Sequence, residues 1–119
     1  MSIKSYENLI VWQKSMELVI LIYKLTKNFP KEEVYGLTAQ IKRAVISIPS
    51  NIAEGSKRSS RKDFRNFLIN AYGSGAEIET QIKIATRLNF CKKEDCHLAE
   101  NLLSEVMRML NKLCDKLKV

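Results

Sequence analysis

The chain has 119 residues, with 20 Lys or Arg against 13 Asp or Glu and a formal net charge of +7. That length fits one domain spanning 1–119 and lets roughly two thirds of the unfolded surface be buried, so a core needs neither metal nor disulfides. Four glycines, two prolines and a longest apolar run of five residues, Leu18 to Ile22, exclude a disordered chain and a membrane span.

A first helix is expected from about Tyr6 to Lys27. Leu9, Trp12, Met16, Val19 and Tyr23 recur at spacings of three and four and form one apolar face. Ile10, Val11, Leu18, Ile20, Leu21, Ile22 and Leu25 spread apolar surface around most of the rest. The outward polar face that a monomeric bundle helix keeps is nearly missing after Glu17. This pattern predicts a second buried face against another subunit. A β-strand over Leu18–Tyr23 is rejected, because the helical spacing runs through both flanks.

Asn28-Phe29-Pro30 ends that helix, and the next begins between Pro30 and Leu37. Leu37, Ile41, Ala44, Ile48 and Ile52 form its apolar stripe, with Val45 beside it. Pro49 lacks an amide hydrogen and crowds the carbonyl of Val45, so a kink or local loosening is expected. Gly55 is expected to close the helix in the left-handed conformation.

Ser59 or Ser60 can cap a third helix, with Asp63 completing the polar half of a capping box behind Ser60. Phe64, Leu68, Ala71, Gly75, Ile78, Ile82 and Ala85 carry its apolar stripe to Arg87 or Leu88. Gly73 and Gly75 each cost about 1 kcal/mol against alanine in an exposed helix, which predicts close packing at both. The fourth helix, about Lys93 to Lys118, has its seam at Cys96, Ala99, Leu103, Val106, Leu110, Leu113 and Leu117. Glu94 and Asp95 suit its positive end, and Lys112, Lys116 and Lys118 its negative end. Short connections make neighbours antiparallel. The expected fold is an all-α, up-down-up-down four-helix bundle.

Three cysteines, Cys91, Cys96 and Cys114, and no signal peptide at Met1-Ser2-Ile3-Lys4 predict reduced thiols and a cytoplasmic location. Catalytic patterns are weak. Cys91, Cys96 and His97 match no usual zinc spacing. Glu54, Glu77 and Glu79 lack the Glu-x-x-His pairs of di-iron bundles. Gly73-Ser74-Gly75 has neither the spacing nor the lysine of a phosphate loop. No nucleophile is paired with a histidine base. The expectation is a protein with no metal, no cofactor and no enzymatic activity.

Two polar features stand out instead. Helix two carries Gln40, Arg43, Ser47, Asn51 and Glu54 beside its apolar stripe, and helix three carries Asn70, Ser74, Glu77 and Gln81. These lines can form a register or subunit-interface network, with Arg43 a candidate partner of Glu54 or Glu77. A solvated surface and a ligand site stay open as alternatives. The second feature is the basic cluster Lys42, Arg43, Lys57, Arg58, Arg61, Lys62 and Arg65, against Glu54 and Asp63. Lys57, Arg58, Arg61, Lys62 and Arg65 straddle the start of helix three, where free amides also favour phosphate. Phosphate contacts confer affinity more than specificity. No aromatic is interleaved with these residues in the RNA-reading manner, and a solvated charge run remains the competing reading.

Trp12-Gln13-Lys14, Phe29-Pro30, Tyr35-Gly36-Leu37-Thr38 with Gln40, Ile41 and Arg43, Ser47-Ile48-Pro49-Ser50-Asn51-Ile52-Ala53-Glu54-Gly55, and Ala71-Tyr72-Gly73-Ser74 with Glu77-Ile78-Glu79-Thr80-Gln81 together resemble the four-helix-bundle family of 23S rRNA intervening-sequence proteins. The likeness spans roughly Tyr6 to Leu113. That family is similar in turn to the accessory protein of diversity-generating retroelements, a pentameric barrel of four-helix protomers whose basic surface engages reverse transcriptase and nucleic acid. The resemblance implies a homopentamer with its basic residues facing RNA or DNA. The expected function is therefore a non-enzymatic, homo-oligomeric, nucleic-acid-associated protein. A structural adaptor binding a protein partner is the alternative.

Overall fold

Residues 5–118 are described by a computed structural model. Four helices, α1 (Ile10–Thr26), α2 (Leu37–Ser56), α3 (Arg61–Arg87) and α4 (Lys93–Lys116), follow a short 3-10 turn at Tyr6–Asn8. A second 3-10 turn, Lys31–Glu33, lies between α1 and α2. Each helix packs on its sequence neighbours and α4 closes onto α1, giving a bundle 44 × 24 × 21 Å. Antiparallel order follows from side-chain pairs such as Lys42 over Tyr23, Ser47 with Ser74, Lys83 with Glu100, and Lys14 with Glu105. No helix among the described residues is long and apolar enough to cross a membrane.

The stripes expected on α2, α3 and α4 form the core. Ile41, Ile48 and Ile52 meet Leu68, Ile78 and Ile82, and Leu103, Val106 and Leu110 close the opposite side. Helix α1 is turned from its expected orientation. Its buried line is Val11, Ser15, Leu18, Ile22 and Leu25, whereas Met16 and Tyr23 are exposed and Trp12 and Val19 half-buried. Ser15 disguised the buried line in the sequence. Its hydroxyl donates to the Trp12 carbonyl at 2.7 Å, which satisfies it inside the helix and removes the penalty of burying it. The outer face thus keeps Ile10, Met16, Ile20 and Tyr23 in solvent.

Helix α2 begins where Glu33 reaches forward, its carboxylate accepting from the Leu37 amide at 3.1 Å. It runs through the buried Pro49 to Ser56, beyond the expected end. Gly55 does not terminate it in a left-handed conformation, since no described glycine has positive φ. A Cβ on Gly55 would lie 2.6 Å from Phe67 Cβ, so glycine is required there by close helix approach. Ser60 caps α3 as expected, accepting from the Asp63 amide at 3.0 Å. Gly75 packs against Met107, but a Cβ at Gly73 would meet nothing within 4 Å. The packing reason expected at Gly73 is absent.

The left-handed residue is Asn89, φ 60°, after α3. Phe90 N–H donates to Ala85 O at 2.9 Å and Asn89 N–H to Thr86 O at 3.1 Å, the two bonds of a Schellman closure. This turn brings Cys91 to within 6.5 Å of Cys96, Cα to Cα, and their sulfurs are bonded. The expectation of three reduced thiols is corrected: only Cys114 is a free cysteine among the described residues, and it is buried. Cysteine usage therefore does not distinguish a reducing from an oxidising compartment.

Candidate nucleic-acid interface

The four-residue link Lys57–Ser60 and the antiparallel order bring the end of α2, the start of α3 and the end of α4 to one end of the bundle. Lys57 Nζ sits 5.7 Å over the Tyr6 ring, which adds the first 3-10 turn to the same end. All five basic residues expected to contact nucleic acid lie here, but they are not equivalent. Arg58 is held by Glu54 at 3.0 Å and lies 4.8 Å over the Phe67 ring. Arg61 donates to the carbonyl of Lys116, and Arg65 Nε to the carbonyl of Cys114 at 3.3 Å. Arg61 thus satisfies a carbonyl that the end of α4 would otherwise leave bare, while the Cys114 carbonyl also accepts from the Leu117 amide at 3.1 Å. Lys57 and Lys62 remain exposed without a carboxylate partner among the described residues.

Those two arginine bonds have a second effect. They fix the end of α4 beside the start of α3, and with it the exposed Lys112, Lys116 and Lys118. Lys118 is 3.6 Å from Asp115, while the other two have no carboxylate within ion-pair reach among the described residues. Sequence reasoning treated these lysines only as partners of the helix dipole. The signal for more was available, because Arg108, Lys112 and Lys116 recur every fourth residue on the outer face of α4. What the sequence lacked was the side of the bundle on which that row falls.

The polar lines of α2 and α3 do face each other. Ser47 and Ser74 hydroxyls are 2.7 Å apart, and Asn51 Nδ2 donates to the Ser47 carbonyl at 2.8 Å and to its hydroxyl at 3.0 Å. Gln40, Arg43, Ser47, Ser74 and Glu77 line a common groove of about 450 Å³. The expected Arg43 ion pairs are not made: Glu54 is engaged by Arg58, and Glu77 has no ion-pair partner among the described residues. Gln81 continues the α3 line and is buried, with its Oε1 lacking a hydrogen-bond partner among the described residues.

Residues weighed for catalysis are scattered. His97 is exposed, its Nδ1 3.8 Å from Glu100. Cys91 and Cys96 are consumed in their bridge. Glu77 lines the α2–α3 groove, whereas Glu79 lines a separate cleft between α3 and α4. Among the described residues, no three or more His, Cys, Asp or Glu are grouped to hold a metal ion.

Residues 7–112 match the profile of the family described as 23S rRNA-intervening sequence protein. Among solved structures, the chain is similar to a protein of unknown function from the S23 ribosomal protein family of Bacteroides thetaiotaomicron. The two share 28% identity with a TM-score of 0.82, over 89% of this chain and 96% of the other. No curated protein matches the chain.

Proposed function

The chain belongs to the 23S rRNA-intervening sequence protein family, and from that premise we propose that it is a non-enzymatic, self-assembling bundle that contacts nucleic acid. The observation that carries this reading is the basic end. Lys57, Arg58, Arg61, Lys62 and Arg65 share it with Lys112, Lys116 and Lys118, because Arg61 and Arg65 bond the terminal carbonyls of α4. The acidic side chains described there, Glu7, Glu54, Asp63 and Asp115, are too few to neutralise it. Such a field draws in polyanions and releases their counterions on contact.

Self-assembly is supported by the exposed apolar face of α1, where Ile10, Met16, Ile20 and Tyr23 face solvent in the single chain. The count of five subunits, and any kinship with the retroelement accessory protein, rests on sequence resemblance alone. Closure into a ring would repeat the basic end around one rim and strengthen its field.

Fluorescence anisotropy with labelled RNA and duplex DNA, titrated from low to high salt, tests the reading. Binding is expected at low salt, weakening steeply as salt rises. Replacing Lys57, Lys62, Lys112 and Lys116 by Gln is expected to flatten the salt slope by roughly 0.7–0.9 for each phosphate contact removed. Failure of the wild-type protein to bind either polymer at low salt would discard the proposal. Co-purification of a stable protein partner, with no nucleic-acid binding, would favour the adaptor reading, which the same exposed face of α1 also supports.

A further inference from the structure

Tyr72 lies on α3 and is 41% exposed. It lines a cleft of about 210 Å³ between α3 and α4, together with Glu79, Ser104, Met107, Arg108 and Asn111. That volume falls below the roughly 300–1,000 Å³ of ordinary small-molecule sites. The Tyr72 ring has neither an aromatic nor a cation-π partner among the described residues. Arg108 is kept at the rim by its 2.7 Å bond to the Ser104 hydroxyl.

Along α3 and α4 the cleft is followed by the basic end. Gly75 touches Met107, and Arg65 reaches the Cys114 carbonyl, so the antiparallel α3 and α4 stay in register between these points. Lys112 therefore follows Arg108 by one turn of α4, towards the basic end. Arg65 and Lys116 follow. Asp115, the acid on this path, lies 3.6 Å from Lys118. Glu79 sits at the opposite end of the cleft, away from the lysines.

We infer that this cleft takes one unstacked nucleobase of a single-stranded nucleic acid whose phosphates run along Lys112 and Lys116. The inference rests on the nucleic-acid reading of the basic end and adds the class of polymer. A base inside a duplex is covered on both faces and has no access to the cleft, whereas a splayed base can stack on an exposed ring. Arg108 borders the same space as a second planar surface. The amide of Asn111 and the carboxylate of Glu79 offer an acceptor and donor set for a base edge. Glu79 also disfavours a phosphate in the cleft itself, which orients the strand with its backbone towards Lys112.

Anisotropy with a labelled oligouridine of about fifteen nucleotides and an RNA duplex of equal length tests this assignment. The single strand is expected to bind more tightly. Tyr72→Leu is expected to weaken single-strand binding about tenfold while leaving duplex binding unchanged, and Tyr72→Phe, which keeps the stacking face, to restore it. Circular dichroism melts of both variants check that the fold is kept. Equal affinity for the two polymers overturns the assignment, as does a Tyr72→Leu protein that binds the single strand like wild type. In both cases the basic end would still stand as a polyanion surface. No binding of either polymer at low salt overturns that surface and this cleft together.

Discussion

The hydroxyl of Ser47 on α2 lies 2.7 Å from the hydroxyl of Ser74 on α3, a direct side-chain rung between the facing polar lines of the two helices. Asn51 donates to Ser47 from one turn further along, so the rung is partnered rather than isolated. Removing one hydroxyl leaves its partner half-satisfied in a part-buried seam. Ser47→Ala and Ser74→Ala are each expected to lower stability by about 0.5–1.5 kcal/mol. The double variant should cost less than the sum of the two, because the second loss removes an already orphaned group. Urea unfolding of the four proteins measures this, and strict additivity would show that the two hydroxyls are not coupled.

The glycines of α2 and α3 should respond in opposite directions. A Cβ at Gly55 would fall 2.6 Å from Phe67 Cβ, 3.0 Å from Phe64 Cδ1 and 3.3 Å from the Phe64 carbonyl oxygen, and a backbone atom cannot rotate away. Gly55→Ala is expected to destabilise by about 1–3 kcal/mol. Gly73 is exposed in a helix interior with nothing within 4 Å of a new Cβ. There Gly73→Ala should stabilise by about 0.5–1 kcal/mol. Thermal melts of the pair decide it; a shift of the same sign in both would contradict the packing.

Burial pushes the Cys114 thiol above its ordinary value, and the nearby Arg65 charge partly offsets the shift. The folded protein therefore holds this proton at a pH where the unfolded chain releases it. The resulting stabilisation is complete below the ordinary thiol pKa and is lost as pH rises through the raised folded value. The melting temperature of wild type should fall more steeply above about pH 8.5 than that of Cys114→Ala. Arg65→Gln should raise the thiol further and slow its alkylation in the folded state. Parallel pH curves for wild type and Cys114→Ala would refute the assignment.

The outer face of α1 predicts assembly. Ile20 is 56% exposed in the single chain, and Met16 and Tyr23 flank it by about one turn on either side. Light scattering is expected to return a multiple of 13.7 kDa. Ile20→Lys, alone or with Met16→Lys, should lower that mass and leave the helical spectrum unchanged. A wild-type monomer throughout the micromolar range would contradict the role given to this face.

Much of this was readable from residue spacing. The stripes of α2, α3 and α4, the Ser60 cap and the facing polar lines follow from a period of three and four, because an antiparallel bundle with short links has few ways to bury those stripes. The α1 face was misread because two stripes share the same period and Ser15 interrupts the one that is buried. Arg43 shares the facing polar lines with two carboxylates that its fork could match, yet Glu54 is taken by Arg58 in the link just beyond α2. Gly55 was read as a local terminator when its cause is Phe67, across the seam.

The sequence by itself determined the helices, their antiparallel order and the family, since these depend on local periodicity and short connections. The tertiary structure alone decided which basic residues are occupied and which are free. Arg61 and Arg65 turn to carbonyls at the end of α4, which sets Lys112 and Lys116 at the same end of the bundle as Lys62. It also set Tyr72 at the rim of a cleft shared with Arg108. Such pairings depend on the rotation and level of one helix against another, which periodicity leaves free and side-chain packing fixes.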